Sequence, residues 1–293
     1  MTRTINITDT HSHLDGEEFK DDLAEVIQRA KDSGVGKIFI PGIDESSLDS
    51  VFRVCDEYPD YCYPMVGLQP EEVKDNWKDV LMKMQSYVLP DSSSDISDGS
   101  DNEKDANKTV AVRRKEIIAI GECGLDFYWS RDYEKEQLAA FEKQVEWSVA
   151  TRLPLMIHCR KAQNELLHIL KKYEKELPGG VFHCFTGNQK EAEEYLKFDN
   201  FVLGIGGVST FKSSHLREDL PQSVPLNRIV LETDSPYMAP VPYRGKRNES
   251  GFVTEVCETL ATCYGVTVDE IAKITNENVE RVFPKLRNGK ISG

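Results

Sequence analysis

Ile5-Asn6-Ile7-Thr8-Asp9-Thr10-His11-Ser12-His13-Leu14-Asp15 is a short β-branched run that ends in two histidines spaced two apart. On extended backbone that spacing turns both imidazoles to one side and Ser12 to the other. The pair alone is a weak signal, because a single histidine is more often a hydrogen-bonded core or surface residue than a ligand. Its weight depends on what the rest of the chain places beside it. Seven further apolar runs follow, at Lys37 to Pro41, Tyr63 to Val66, Ile117 to Glu122, Leu155 to His158, Val181 to His183, Phe201 to Ile205 and Ile229 to Glu232. Between them lie segments of helical period, such as Leu23, Val26, Ile27 and Ala30, or Leu138, Phe141, Val145 and Val149. Eight alternating units predict an α/β fold, a (β/α)8 TIM barrel spanning residues 1–293 as a single domain. Phe252 to Tyr264, Val268 to Ile274 and Asn278 to Phe283 read as closing helices.

The polar residues of these runs fall at their carboxyl ends. Asp9, His11 and His13 end the first, Glu122 the fourth, His158 the fifth, His183 the sixth, and Glu232-Thr233-Asp234 the eighth. Parallel barrel strands bring all those ends to one rim, where barrel active sites sit. Four of the six histidines occupy such ends, and His168 and His215 read as exposed residues on a helix and a loop. Four imidazoles with two carboxylates exceed the needs of one tetrahedral site and point to two divalent ions sharing a bridging ligand. Glu122, from the middle of the strand order, is the natural bridge. Magnesium is the expected ion in use, with zinc and manganese as alternatives for the imidazoles.

Composition narrows the setting. The formal net charge of −14 disfavours extended duplex binding, because nucleic-acid affinity comes largely from basic side chains; a strand end or a small anion remains compatible once divalent cations are bound. Seven scattered cysteines without a CxxC pair predict reduced thiols, and Cys123, Cys159 and Cys184, next to the candidate ligands, are expected to point outward under the helices. No apolar run is long enough for a membrane span and the N-terminal stretch lacks the apolar core of a signal peptide, so we expect a cytoplasmic or nuclear protein without membrane contact, and a monomer. Residues 91–108, DSSSDISDGSDNEKDANK, are nearly free of apolar side chains and are expected to form an acidic, flexible surface insertion between the third helix and the fourth strand.

The motifs DTHSHLD at residues 9–15, GECGLDFY at 121–128, IHCR at 157–160, HCFTG at 183–187 and LETDSPYMAPVPYRGKRNES at 231–250 resemble those of the TatD family of metal-dependent deoxyribonucleases, within the amidohydrolase-like metallo-hydrolases. The resemblance runs almost the whole chain. It implies two ions, with His11, His13 and Asp234 on one, His158 and His183 on the other, and Glu122 between. It also implies phosphodiester hydrolysis, commonly exonucleolytic from a 3′ end (3′-5′), on DNA and sometimes RNA. The chain departs from the family pattern at Gln69, where Gly67-Leu68-Gln69-Pro70 replaces GLHP and a neutral amide stands for the histidine that helps to contact substrate phosphate. Ser250 replaces the proline of RGxxNEP, and the 91–108 insertion is not part of the common pattern.

On this reading Asp234 takes the proton of the attacking water, with Glu122 as the second catalytic carboxylate. Gln69, Arg244, Lys246 and Arg247 are substrate-binding candidates, the last three as cations that neutralise flanking phosphates. Gly204, Gly206 and Gly207 are places where backbone can approach a phosphate. Asp126 and Glu232 are expected to orient ligands from behind. The rival reading is a metal-dependent amide or ester hydrolase, such as a D-aminoacyl-tRNA deacylase, since the same ions polarise a carbonyl.

Overall fold

In the computed structural model, residues 6–90 and 101–286 are described, with residues 101–108 described for their backbone alone. Eight parallel strands form one sheet in chain order: β1 (Ile7–Asp9), β2 (Val35–Ile40), β3 (Cys62–Val66), β4 (Ala119–Asp126), β5 (Leu155–Arg160), β6 (Gly180–Phe182), β7 (Phe201–Ile205) and β8 (Ile229–Leu231). The ring closes where Thr10 N donates to Leu231 O at 3.0 Å and His13 N to Ser235 O at 2.8 Å. These bonds extend β1 beyond Asp9, so His11 and His13 stand on extended chain as expected. The outer layer comprises α1 (Leu23–Asp32), α2 (Leu48–Glu57), α3 (Trp77–Val88), α4 (Asp101–Glu116), α5 (Glu134–Thr151), α6 (Gln163–Lys172), α7 (Gln189–Tyr195), α8 (Leu216–Ser223), α9 (Val253–Tyr264) and α10 (Val268–Val282). The (β/α)8 barrel is therefore the observed fold. Among the described residues no helix is long and apolar enough to cross a membrane.

Strand alternation divides the apolar side chains into two layers. Ile38, Ile40, Val66, Leu155, Ile157, Leu203, Ile205 and Leu231 pack outward under the helices. Phe39, Met65, Ala119, Met156, Val181, Val202 and Val230 fill the barrel interior with Phe283 and Val279. This inner plug is the floor of the site. Met156 and Val181 each lie two residues before a histidine, so the same parity aims His158 and His183 inward above the plug.

Two segments differ from expectation. The two helices expected at 268–274 and 278–283 are one, α10, because the polar run between them is used by the barrel and does not interrupt the helix. Thr275 Oγ1 donates back to Ile271 O at 2.8 Å, Asn276 Oδ1 accepts from Thr8 N at 3.1 Å, and Asn278 Nδ2 donates to Leu226 O and Ile229 O at 2.8 and 2.7 Å. Of the expected insertion, residues 91–100 lie outside the described residues, whereas 101–108 begin α4 and so are helical. Acidic residues lie early in α4 and Arg113, Arg114 and Lys115 lie in its last turn, the order that a helix dipole favours. Arg113 anchors it, pairing with Asp56 through two 2.6 Å bonds and lying over the Phe52 ring.

Asn278 is buried and its amide serves the carbonyls of Leu226, in the turn before β8, and of Ile229, the first residue of β8, so Asn278→Ala is expected to lower unfolding free energy by about 1–3 kcal/mol per carbonyl left unpaired. Guanidinium denaturation would show this as a lower midpoint at unchanged slope; an unmoved midpoint would mean that α10 does not clamp the barrel through this residue.

Candidate metal centre

Glu122 reaches the site because β4 is irregular. Ala119 faces the interior, and strict alternation would send a residue three positions later outward. The pairing with β5 slips between Ile120 and Cys123, which re-aims Glu122 inward and leaves Cys123 buried outside. Gly121 permits the slip: a Cβ there would lie 2.5 Å from the Met156 Cβ.

The two oxygens of the Glu122 carboxylate face different histidine pairs. Oε2 lies 3.2 Å from His11 Nε2 and 3.8 Å from His13 Nε2. Oε1 lies 2.9 Å from His158 Nδ1 and 3.1 Å from His183 Nε2. Asp234 Oδ1 completes the first group, 3.8 Å from His11 Nε2 and 3.7 Å from His13 Nε2. The six residues that the strand-end reading singled out are thus brought together. His11, His13 and Asp234 offer ligand atoms within 4.8 Å of one another, as do His11, Glu122 and His183.

The donor set fits divalent cations. It consists of imidazole nitrogens and carboxylate oxygens only, nearly all buried, and it aims acceptors at one another. His11 Nε2 lies 3.2 Å from His13 Nε2, and the Nδ1 atoms of His11, His13 and His183 are buried without a hydrogen-bond partner. Ring packing helps to hold the orientations, His11 stacking on His183 at 4.0 Å. Without cations the cluster divides its protons unevenly. Burial, with the neighbouring His183 charge, lowers His11 to about 4. Burial would lower His13 too, but the Asp234 hydrogen bond and the Glu122 charge outweigh it and raise His13 to about 9. His158, likewise buried, is raised to about 10 by its hydrogen bonds to Asp126 and Glu122. Burial acts to raise Glu122 and Asp234, yet the surrounding histidines hold both below the usual carboxylate range.

A second row orients the first. Asp126 Oδ2 accepts from His158 Nε2 at 2.8 Å and its Oδ1 accepts from Tyr128 N at 2.8 Å. Glu232 accepts from Cys184 N and lies 3.9 Å from His183 Nδ1; burial raises it to about 8. Gly204 makes room for it, since a Cβ there would lie 2.1 Å from Glu232 Oε2, so this glycine serves strand packing. Asp9, which the ligand reading left unused, ties the closure together by accepting from Thr233 N at 2.9 Å and Thr233 Oγ1 at 2.7 Å.

The centre opens into a cavity of about 640 Å³ lined by His13, Glu122, His158, His183 and Asp234 at its base and by Gln69, Glu71, Trp129, Arg160 and Tyr237 higher up. Gln69 lies in this lining, although its side-chain oxygen also accepts from Glu71 N at 2.8 Å. Arg244, Lys246 and Arg247 do not line it. Arg247 is held by Asp22 at 2.8 and 2.6 Å, Arg244 lies over the Phe211 ring at 4.3 Å, and Lys246 lies 5.9 Å from the Tyr243 ring centre. Cys159 borders the cavity but packs against the outer apolar layer, as alternation predicts, whereas Cys184, also in the cavity wall, has a left-handed φ of 48°, which breaks the alternation that would send it outward. Arg160, Trp129 and Tyr237 were not singled out from the sequence, though Arg160 ends β5, Trp129 and Tyr237 follow β4 and β8, and each lies within a quoted motif or one residue beyond it.

Asp126→Ala removes the acceptor that fixes His158, and the apparent metal affinity is expected to fall about 10–100-fold in a competition titration against a chelator. At pH 7 His13 and His158 lie below their raised values of about 9 and 10 and carry protons, which a cation must displace. Metal uptake at pH 7 should therefore release about two protons, and apparent affinity should climb between about pH 6 and 9. Calorimetry in buffers of different ionisation enthalpy reads the release directly; a binding heat independent of buffer would contradict it.

A sequence model of the family described as TatD related DNase matches residues 8–284. A metal-dependent hydrolase of Bacillus subtilis, YabD, is 35% identical over 94% of this chain and 98% of its own. A protein of Pectobacterium carotovorum named 3'-5' ssDNA/RNA exonuclease TatD is 30% identical over 92% of this chain and 96% of its own. Among solved structures, the TatD homologue YjjV of Escherichia coli aligns with a TM-score of 0.75 at 26% identity, covering 95% of this chain and 98% of that one.

Proposed function

Because this chain belongs to the TatD-related DNase family of metal-dependent hydrolases, we propose that it hydrolyses phosphodiester bonds of single-stranded DNA or RNA from the 3′ end, at a centre holding two divalent cations. The observation that carries the reading is the Glu122 carboxylate, whose two oxygens each face a separate histidine pair. On this proposal His11, His13 and Asp234 hold one cation, His158 and His183 the other, and Glu122 both. The cations supply Lewis acidity, which acidifies water and offsets charge on the phosphate oxygens.

The chain's own groups then have defined work. Asp234 is held ionised by the neighbouring histidines and lies at the cavity base, so its carboxylate accepts the proton of the attacking water. Its left-handed φ of 57° and the bond from its N–H to His11 O, 2.9 Å, aim the side chain across the histidine pair. Asp126 keeps the His158 ring oriented, and the apolar plug below excludes water from the floor. The named exonuclease relative favours phosphorus over the carbonyl alternative, and the deep, open cavity admits a strand end.

With magnesium, manganese or zinc supplied, the wild type is expected to shorten a 3′-extending single strand labelled at its 5′ end. Glu122→Ala and Asp234→Ala should each lower kcat at least about 100-fold, the scale of losing a general base. Circular dichroism of both variants separates loss of chemistry from loss of fold. Undiminished cleavage by either variant, or amino-acid release from charged tRNA in place of strand shortening, would overturn the assignment.

A further inference from the structure

Two of the most exposed large hydrophobic side chains of the described residues stand on the wall of this cavity. Trp129 follows β4 and is 69% exposed; Tyr237 follows β8 and is 56% exposed. In a ring of eight strands taken in chain order, β4 and β8 are opposite one another. The two rings therefore flank the metal centre from opposite sides of the rim. Tyr237 meets the His13 ring edge-on at 6.2 Å, beside the first ligand group. Trp129 packs edge-on against Tyr128 at 4.8 Å, and Tyr128 N is bonded to the same Asp126 that orients His158.

Neither platform is loose. Asn248, fully buried, donates to Thr233 O and Tyr237 O at 2.8 and 2.7 Å, which fixes the turn that carries Tyr237. On the opposite side Arg160 lies flat over the Tyr128 ring, 3.6 Å from its centre, and among the described residues its guanidinium pairs with no carboxylate.

The charges of the wall sharpen the question of what these rings bind. Arg160 is the sole arginine or lysine in the described lining, whereas Glu18, Glu71 and Glu72 all belong to it. Such a rim cannot hold a polyanion by releasing many counterions. Exposed aromatic rings supply the alternative, since base stacking contributes affinity without basic residues and is open to any base that is unpaired.

Resting on the proposed nuclease reading, we propose that Trp129 and Tyr237 are opposed base-stacking platforms that take the unpaired bases on either side of the scissile phosphate. The two rings hold the strand across the centre, and Arg160 receives a neighbouring phosphate. Selection for single strands follows, because within a duplex the bases flanking a phosphate are held stacked on their neighbours and cannot splay apart onto the two rings.

The test compares wild type, Trp129→Ala, Tyr237→Ala and the Phe variants of both positions, all metal-loaded. Substrates are a short end-labelled single strand and the same backbone with tetrahydrofuran in place of the bases flanking the cleaved bond. On the intact strand each Ala variant should raise KM about 5–150-fold, the range of one lost stacking contact, with the Phe variants close to wild type. On the tetrahydrofuran strand the wild type should itself bind weakly, so that the Ala penalty disappears. A logarithmic salt dependence of binding shallower than about −2, from at most a few phosphate contacts, is the accompanying expectation. Wild-type cleavage with KM unchanged in both Ala variants overturns the platforms, as does an equal Ala penalty on both strands, which would mark a structural effect. Wild type that cleaves neither strand with any of the metals overturns the nuclease reading first and the platforms with it.

Discussion

A carboxylate that is both buried and ionised has to be surrounded by positive charge or by hydrogen-bond donors, because removing it from water costs several kcal/mol. Glu122 is 3% exposed, lies above an apolar plug, and is held below the usual carboxylate range, against the effect of burial, by His183, His11 and His158. Most of the rim is arranged around that requirement. Histidines from the ends of β1, β5 and β6 converge on it, Asp126 holds His158 from behind, Glu232 lies 3.9 Å behind His183, and the β4 irregularity at Gly121 presents the carboxylate itself. The histidines cannot all satisfy it as protonated donors: His11 is driven toward neutrality while His13 and His158 are drawn toward charge. The two cations proposed above, one on each side of Glu122, would resolve this conflict, since neutral imidazoles and ionised carboxylates are the forms that bind metal.

Barrel closure is what turns this from a list of distant residues into a centre. β1 and β8 meet through Thr10, His11 and His13, so His11, His13 and Asp234 form one half of the site on adjacent strands. β5 and β6 supply the other half with His158 and His183. Glu122 reaches between the halves from β4, opposite the closure, and that position lets its two oxygens serve different neighbours. The apolar layer of Phe39, Met65, Met156, Val181, Val202 and Val230 prevents the barrel interior from being a pore and confines polar chemistry to the strand ends.

Much of this is legible in the chain. Strand period and strand ends suffice for the barrel and to single out all six converging side chains, and simple alternation from Met156 and Val181 aims His158 and His183 inward. Glu122 is different: parity from Ala119 places it on the wrong face, and the slip beside Gly121 that corrects this depends on contact with Met156, a residue far along the chain. The same kind of dependence hid the unity of α10, whose polar middle reads as a break until Thr8, Leu226 and Ile229 are seen to accept or supply its hydrogen bonds. Arg247 reads as a free cation in a basic turn, yet Asp22, remote in sequence, holds it. Cys184 reads as an outward strand residue until a left-handed φ removes it from the strand.

The acidity of the chain and the chemistry proposed for it are reconciled by position. A net charge of −14 spread over the surface repels a polyanion at long range, and screening confines that repulsion to about 10 Å in ordinary salt. Within the centre the local count is what matters. Glu122 and Asp234 contribute two negative charges, and two divalent cations, as proposed, would reverse the sign there. Attraction for phosphate would then be strongest at the cavity floor, and there only with the cations bound, while Glu18, Glu71 and Glu72 leave the wall acidic apart from Arg160. An enzyme so arranged gains little from binding backbone at random along a duplex. On the proposed reading it favours the one geometry in which a single strand enters the cavity far enough to bring a phosphate over Glu122.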